Sequence, residues 1–232
     1  MNALGALYIV ATPIGNLRDI TLRALDVLRE VDVVVCEDTR HTLKLLNHYE
    51  VRKHLISLHA RNEKEGFQKV LGILQDGKSV AYVSDAGTPS ISDPGSILVS
   101  EARNRGVRVV PIPGASACTT LLSVAGRFGK TVIFEGFLSP KEGKRRKRLL
   151  ELMSTDYAIM VYESPHRLIR LLADIKSIDE ERCVVVGKEL TKAYERVIRG
   201  LSREVLEVFL QLKAVKGEYV VLILPQLLNS SM

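Results

Sequence analysis

The stretch "VSDAGTPSISDPG", residues 83–95, holds two glycines, two prolines, two aspartates and three serines in thirteen positions. Neither a helix nor a ladder-paired strand tolerates that composition. Six similar clusters accompany it: "TPIGN", "EDTR", "HARNE" and "PGAS" in the first half of the chain, "ESPHR" and "KEL" in the second, each directly after an apolar run. Their chemistry is that of backbone rather than of nucleophiles. Thr12, Pro13, Gly15 and Asn16 form a sharp turn in which Gly15 lets another group approach the main chain closely. Asp85 and Gly87 head the long loop, and Gly114, Ala115 and Ser116 open a helix with small side chains. Singly, each is a plain turn. Gathered on one edge, they describe a pocket walled by peptide groups and suited to a flat, polar, adenosine-like ligand.

Two more familiar chemistries are excluded by context. "GILQDGKS", residues 72–79, satisfies the phosphate-loop pattern GxxxxGK[ST], but that loop has to leave a strand and open a helix. Here the first glycine lies inside a helical pattern and a strand follows, so Gly77 reads as the left-handed residue that ends the helix. The chain has no GxGxxG, which argues against a bound NAD. It also lacks HExxH, paired CxxC motifs and any histidine cluster, so no metal is expected.

The elements that must position these clusters alternate. "ALYIVA", "DVVVC", "LISL", "SVAYV" and "VRVVPI" read as strands; "ITLRALDVLREV", "TLKLLNHY", "EKEGFQKVLGILQ" and "SILVSEARNR" between them carry helical periods. The strand runs are apolar throughout, as in parallel sheets buried on both faces. After "PGASACTTLLSVAG" the order is less regular. "TVIFEGF", "YAIMVY", "RCVVVG", "YERVIRG" and "EYVVLIL" are mixed with the helices "HRLIRLLADIK" and "SREVLEVFLQLK" and a basic helix start. This reads as a second α/β layer with more antiparallel pairing. The expected fold class is therefore α/β with two domains, 1–113 and 114–232: a mostly parallel N-terminal sheet with helices on both faces, then a mixed sheet. The clusters all fall at strand carboxyl ends, the edge where open parallel sheets bind ligands.

Composition narrows the setting. At 232 residues and 46% hydrophobic content the chain can bury a real core. No apolar run approaches the roughly 18 residues of a membrane span, and the N-terminus lacks a signal-peptide pattern, so a cytoplasmic protein is expected. Cys36, Cys118 and Cys183 read as buried free thiols. The octapeptide "KEGKRRKR", residues 141–148, carries +5 of the net charge of +6. It reads either as a solvated helix start or as an arm that contacts phosphates and releases counterions.

Taken together, "YIVATPIGNLRDIT", "CEDTR", "SDAGTPSISDPG", "PIPGASA", "FEGFLSP", "YESPHR" and "GKEL" resemble the bacterial ribosomal RNA small-subunit methyltransferases of type I, cytidine 2′-O-methyltransferases built on the tetrapyrrole-methylase fold. The resemblance runs from about residue 6 to 224. It implies S-adenosylmethionine bound in a cleft between the two domains, no metal, and a homodimer. By the family pattern the cofactor would meet Pro13, Gly15 and Asn16, the loop Asp85, Ala86, Gly87 to Ile91, the helix start at Ser116 and Ala117, and Tyr162. On the same reading residues 83–95 form a cofactor loop, with Asp93 able to cap and Pro94 to open the following helix.

The implied substrate is a cytidine ribose in 16S ribosomal RNA within the small subunit. Its 2′-hydroxyl must lose a proton, and the candidates for that work are Glu37, Asp38 and Arg40, Glu163 and His166, and Lys188 with Glu189. Plainer roles compete: Glu37 and Asp38 as an acid pair at a helix N-terminus, His166 as a first-turn residue after Pro165. Arg61, Arg167 and the basic run Lys144, Arg145, Arg146, Lys147 and Arg148 would join Arg40 in holding RNA phosphates. With 5% aromatics and no tryptophan, stacking platforms look scarce, so recognition of folded RNA shape is expected. Relatives of this kind often continue past the last strand, whereas this chain ends shortly after "YVVLILP"; contacts from such a segment would fall to the basic helix and the partner subunit. Two alternatives remain, a corrin-type small-molecule methyltransferase of the same fold and a non-catalytic RNA-binding relative.

Overall fold

The computed structural model describes residues 4–59, 63–92 and 95–226. The chain divides into two compact units, Met1–Ser116 and Ala117–Met232. Arg61, Asp93 and Pro94 lie outside the described residues.

In the first unit five strands, β1 (Ala6–Val10), β2 (Val33–Cys36), β3 (His54–Ser57), β4 (Val80–Val83) and β5 (Arg108–Ile112), form one parallel sheet in the order β3-β2-β4-β1-β5. Four helices connect them: α1 (Leu22–Glu30), α2 (Thr39–His48), α3 (Glu63–Gln75) and α4 (Ser96–Asn104). The uniformly apolar strands follow from cores on both faces. Val33, Val35, Val80 and Tyr82 point into a cluster with Phe67, Leu71, Leu74 and Leu98 of α3 and α4. The intervening Val34, Cys36, Ala81 and Val83 point into another with Ala24, Leu28 and Leu46 of α1 and α2. Strand alternation thus assigns neighbouring residues to opposite cores, and both need apolar side chains.

Local signals set the helix ends. The Thr21 hydroxyl accepts the Ala24 N–H at the start of α1, and the Asp38 carboxylate accepts the Arg40 N–H at the start of α2. Gly77 stands just past α3 with φ +79°, its N–H bonded to the Leu74 carbonyl and that of Lys78 to the Ile73 carbonyl. Residues 72–79 are therefore a helix end leading into β4, not a phosphate loop. The N-cap of α4 is Gly95 at φ +114°. A Cβ there would stand 2.3 Å from the buried Tyr82 ring, so glycine alone allows the turn to close over that ring.

The second unit contains α5 (Ala117–Val124), β6 (Val132–Phe137), α6 (Glu142–Met153), β7 (Ala158–Glu163), α7 (Leu168–Ile178), β8 (Cys183–Lys188), β9 (Arg196–Leu201), α8 (Ser202–Leu210) and β10 (Tyr219–Ile223). Its sheet runs β6-β7-β10-β8-β9, with β6 and β7 parallel and the remaining pairs antiparallel. One core joins Ile159, Val161, Val184, Val186, Val221 and Ile223 of the sheet to Leu149, Leu171, Leu172 and Phe209 of α6, α7 and α8. Cys36 and Cys183 are buried as expected. Cys118, on the second residue of α5, is only half-buried.

The basic run proves to be partly internal. Arg145, expected to contact phosphate, is 4% exposed because it lies on the face of α6 that carries Leu149 and Leu152. Its Nε donates to Asp174 Oδ2 of α7 at 2.7 Å, and Nη1 reaches the Pro140 carbonyl at 3.4 Å. It holds α6 against α7 and cannot meet RNA. Removing one member of a buried ion pair leaves an uncompensated charge, whereas removing both leaves none. Asp174→Ala is therefore expected to cost about 3–5 kcal/mol in urea unfolding. Arg145→Met/Asp174→Leu should recover most of that loss, and equal losses would show that the pair is not buried in solution.

Candidate active site

Because all five strands of the first unit are parallel, the turns after them share one edge. Three are tied together by main-chain and hydroxyl hydrogen bonds. Thr12 and Gly87 exchange N–H···O=C bonds of 2.9 and 3.0 Å, a single antiparallel bridge between the turn after β1 and the loop after β4. The Thr12 hydroxyl donates to the Ser84 carbonyl, and the Ser84 hydroxyl donates to the carbonyls of Ala86 and Gly87. Thr88 Oγ1 donates to the Ala115 carbonyl, adding the turn after β5. Gly87 has φ +79°, and a Cβ there would press on Ile14 at 3.3 Å. The edge is thus close-packed where glycine permits it.

Around this knot the structure brings together the expected cofactor residues of the first unit. Pro13 is buried beneath the turn, while Gly15 and Asn16 are exposed above it. The Asn16 side chain accepts the Arg18 N–H and caps a 3-10 turn, Leu17–Asp19. Asp85 and Ser116 are half-buried, and Ala86 and Ile91 are exposed. Ser90 and Ser92 hold φ of +68° and +67°, an unfavourable conformation for residues with a Cβ. A recess on this edge is lined by Thr12, Pro13, Leu17, His41, Thr42, Leu45, Ser84 and Asp85. Sequence reasoning missed His41 and Thr42; the signal was their position directly after "CEDTR", on the first turns of α2.

The candidate acids divide sharply. Asp38 is spent locally: its carboxylate caps α2 and takes the Arg40 Nε and Nη2 at 3.1 and 2.7 Å. Those bonds hold it well below the ordinary carboxylate range. Arg40 is correspondingly engaged with Asp38, although its side chain remains open to solvent. Asp85 Oδ1 accepts the Asp38 N–H at 3.2 Å, which draws the ends of β2 and β4 together. Glu37 is half-buried beside them. Burial, and then the negative charges of Asp85 and Asp38, push its carboxyl upward against the opposing influence of His59.

In the second unit the register puts the ends of β7 and β8 on one edge, since Tyr219 of β10 pairs with both Glu163 and Lys188. Glu163 is 2% exposed; its Oε1 takes the Ser164 N–H at 2.8 Å and Arg167 Nη2 at 2.6 Å, while Oε2 has no hydrogen-bond partner among the described residues. Arg167, expected on phosphate, instead joins Glu163 to the Leu138 carbonyl. Glu189, at φ +50°, uses Oε1 to accept from Lys192 Nζ and the Glu218 N–H. Burial would raise its carboxyl, but the Glu218 and Lys192 bonds outweigh burial and lower it. Lys188 is half-buried and His166 exposed. Ala117 is the first residue of α5, and Tyr162 lies on β7 between Phe134 and Phe137. Within the basic run Arg148 forks onto Glu135 at 2.8 Å through both Nε and Nη2, and Arg146 stands 3.7 Å from Asp174. Lys144 and Lys147 are exposed without an ion pair among the described residues. No group of metal-ligating side chains occurs among the described residues, and no helix there is long and apolar enough to cross a membrane.

A parallel α/β sheet whose carboxyl edge is built from interlocked peptide turns, joined to a second mixed-sheet unit, defines a class of small-molecule-binding α/β proteins. Residues 6–206 match the model of the tetrapyrrole (corrin/porphyrin) methylases, and the chain belongs to that family. A relative from Borrelia garinii, named ribosomal RNA small subunit methyltransferase I, is 47% identical over 94% of this chain and 97% of its own. One of the same name from Thermotoga maritima is 47% identical over 89% and 92%. Among solved structures, the methyltransferase CobJ superposes with a TM-score of 0.73 at 18% identity over 96% of this chain and 95% of its own. Uroporphyrin-III C-methyltransferase from Thermus thermophilus, complexed with S-adenosylhomocysteine, gives 0.65 at 18% identity over 97% and 100%.

The upward shift of Glu37 has a defined consequence for stability. Folding raises its pKa, so the folded chain keeps this proton to higher pH than the unfolded chain. The linked stability is complete below the ordinary glutamate value of about 4.3 and is lost as pH rises through the folded value. Glu37→Gln removes that loss. In urea titrations the variant should gain stability relative to the parent as pH rises above about 4.3; a difference that stays constant with pH would place Glu37 in free solvent.

Proposed function

We propose that this chain is an S-adenosylmethionine-dependent methyltransferase of small-subunit (16S) ribosomal RNA, and that the acceptor is the 2′-hydroxyl of a cytidine ribose. Relatives at 47% identity over nearly the whole chain support the RNA reading through their names. The resemblance noted in the sequence supports the ribose and the cytidine. The observation that carries the chemistry is Glu37: among the described residues it is the candidate carboxylate without a local ion pair or cap, at a strand end beside Asp85, with its pKa pushed upward.

The first unit fits an adenosine-containing donor on its own geometry. Gly87 lets the turns pack tightly against Ile14, Gly15 and Ala86 present exposed main chain, and Asp85 keeps an oxygen beyond the one bound to Asp38. Pro13, Gly15, Asn16, Asp85, Ala86, Gly87, Ile91 and Ser116 would hold the donor there, with Ala117 and Tyr162 assigned from the resemblance. When bound, S-adenosylmethionine supplies an electrophilic methyl group. The protein's part is placement and proton removal. Holding the ribose oxygen in line with the methyl carbon accounts for several kcal/mol of the barrier. The Glu37 carboxylate would take the hydroxyl proton while the methyl group passes from the donor's sulfur to the ribose oxygen, the sulfur–methyl bond breaking to leave a neutral thioether. A base whose pKa is raised toward neutrality is better matched to that step than an ordinary carboxylate.

Glu163 and Glu189 suit structural roles instead, because each already binds a neighbouring cation and a backbone amide. Lys188 and Arg40 remain available as cations near RNA. Likeness to corrin and uroporphyrin enzymes at 18% identity concerns the fold alone.

Labelled-methyl transfer to small subunits that lack the modification, followed by nucleoside analysis, tests the assignment. Label is expected on the ribose of cytidine; label on a base would overturn it. Glu37→Gln should lower kcat by about 10²–10⁴-fold with donor binding retained in calorimetry. A loss of less than about fivefold would remove Glu37 as the base.

A further inference from the structure

Aromatic side chains are few in this chain, yet two of its five phenylalanines lie on a single exposed edge. Phe134 and Phe137 of β6 are 36% and 54% exposed and flank Tyr162 of β7, with ring centroids 5.1 and 5.7 Å from it and both contacts edge-on. A break in register between Phe134 and Gly136, with Gly136 at φ +71°, makes this possible. One extra residue brings positions 134 and 137, three apart, to the same face of the strand. That face is the one away from α6 and α7, because Ile159 and Val161 of β7 enter the core with those helices while Tyr162 does not. β6 is the edge strand of its sheet.

The other side of this edge is cationic. Arg148 of α6 forks onto Glu135, the residue between Phe134 and the bulged glycine, and so fixes the basic helix to the strand that bears the rings. Arg145 and Arg148 are spent on internal carboxylates. Lys144 and Lys147, three residues apart on the helix, stay exposed with no ion pair among the described residues. The edge therefore offers π-faces on one side and free ammonium groups on the other.

We propose that the β6 edge is a platform for single-stranded RNA, on which one or two unstacked bases pack against Phe134 and Phe137 while the adjoining phosphates meet Lys144 and Lys147. The inference rests on the RNA reading above and extends it from charge to bases. Base–aromatic stacking combined with a basic track is how single strands are held without sequence readout. A two-fold contact between copies of this chain through the same edge is disfavoured, since it would bring two lysine rows together.

The test uses the full chain and two probes, an oligocytidylate and small ribosomal subunits. Phe134→Ala/Phe137→Ala should weaken oligocytidylate binding by about 5- to 150-fold per stacked base, with the slope of log K against log salt unchanged. Lys144→Ala/Lys147→Ala should instead reduce that slope by about 0.7 per lysine. Phe134→Leu/Phe137→Leu keeps apolar bulk and guards against misfolding; it should bind as weakly as the alanine pair, whereas Phe134→Trp/Phe137→Trp should bind at least as well as the parent. Unchanged affinity in the alanine pair would overturn the platform, as would full affinity in the leucine pair. A change in sedimentation that accounts for the whole loss of affinity would reassign the edge to self-association and overturn it too. If the parent methylates subunits while the ring variants bind RNA normally, only the platform fails. If the parent binds neither probe, the RNA reading fails with it.

Discussion

The reciprocal backbone bonds between Thr12 and Gly87 are the constraint on which the first unit's edge depends. A parallel sheet sends the ends of all its strands to one side, and the turns that leave them carry peptide groups no ladder can satisfy. Here the turn after β1 and the loop after β4 satisfy one another directly, and the hydroxyls of Thr12, Ser84 and Thr88 take up neighbouring carbonyls. Close approach requires glycine at position 87. The resulting surface is rigid main chain with few protruding side chains, which suits a ligand recognised by its polar edges. The strain at Ser90 and Ser92 lies just beyond this knot, where the loop must still travel to Gly95 and seal over Tyr82.

The same economy governs the charged groups. Most carboxylates that looked available are committed to positioning. Asp38 starts a helix, Asp174 neutralises a buried arginine, Glu163 organises the turn after β7, and Glu189 joins the ends of β8 and β10 through Lys192 and Glu218. For Asp38 and Glu189 these bonds lower the carboxyl below its ordinary range, which makes both poor at taking a proton. Glu37 has no such partner among the described residues, and burial followed by the negative charges of Asp85 and Asp38 outweighs His59, so its proton affinity moves the other way. A division between committed and uncommitted acids is what a proton-transfer site needs, because a base tied into an ion pair would have to break it first.

Much of this architecture was legible in the sequence, for identifiable reasons. Strands buried on both faces have a continuous apolar signature, so all five of the first unit were readable from runs such as "DVVVC" and "SVAYV". The parallel order then forced the polar clusters to one edge. The side-chain partnerships that join residues distant in sequence, such as Arg145 with Asp174 and Arg148 with Glu135, were not legible. Nothing in "KRRKR" distinguishes Arg145, which faces α7, from Lys144, which faces water; only the helical phase against a particular neighbour does that. The bond from Arg167, expected on phosphate, to the Leu138 carbonyl 29 residues away was hidden in the same way. The aromatic pair escaped notice because an ordinary strand places positions 134 and 137 on opposite faces. The bulge that reverses this is signalled only by Gly136.

This contrast also explains how the family can share a fold at 18% identity with enzymes of other names, such as CobJ and uroporphyrin-III C-methyltransferase. Apolar runs of the right length and period preserve a sheet and its helices through wide substitution, since cores accept many residues of suitable volume. What must be kept more strictly is the edge: a glycine where two backbones touch, a threonine where a carbonyl would otherwise be orphaned, a proline beneath the turn. Substrate choice then falls to features outside that knot, which can vary without disturbing it. The basic helix and the bulged aromatic strand lie outside that knot. They belong to the second unit and are fastened to one another by the fork of Arg148 on Glu135, so they could be gained or lost as a module while the first unit's peptide-walled edge stayed the same.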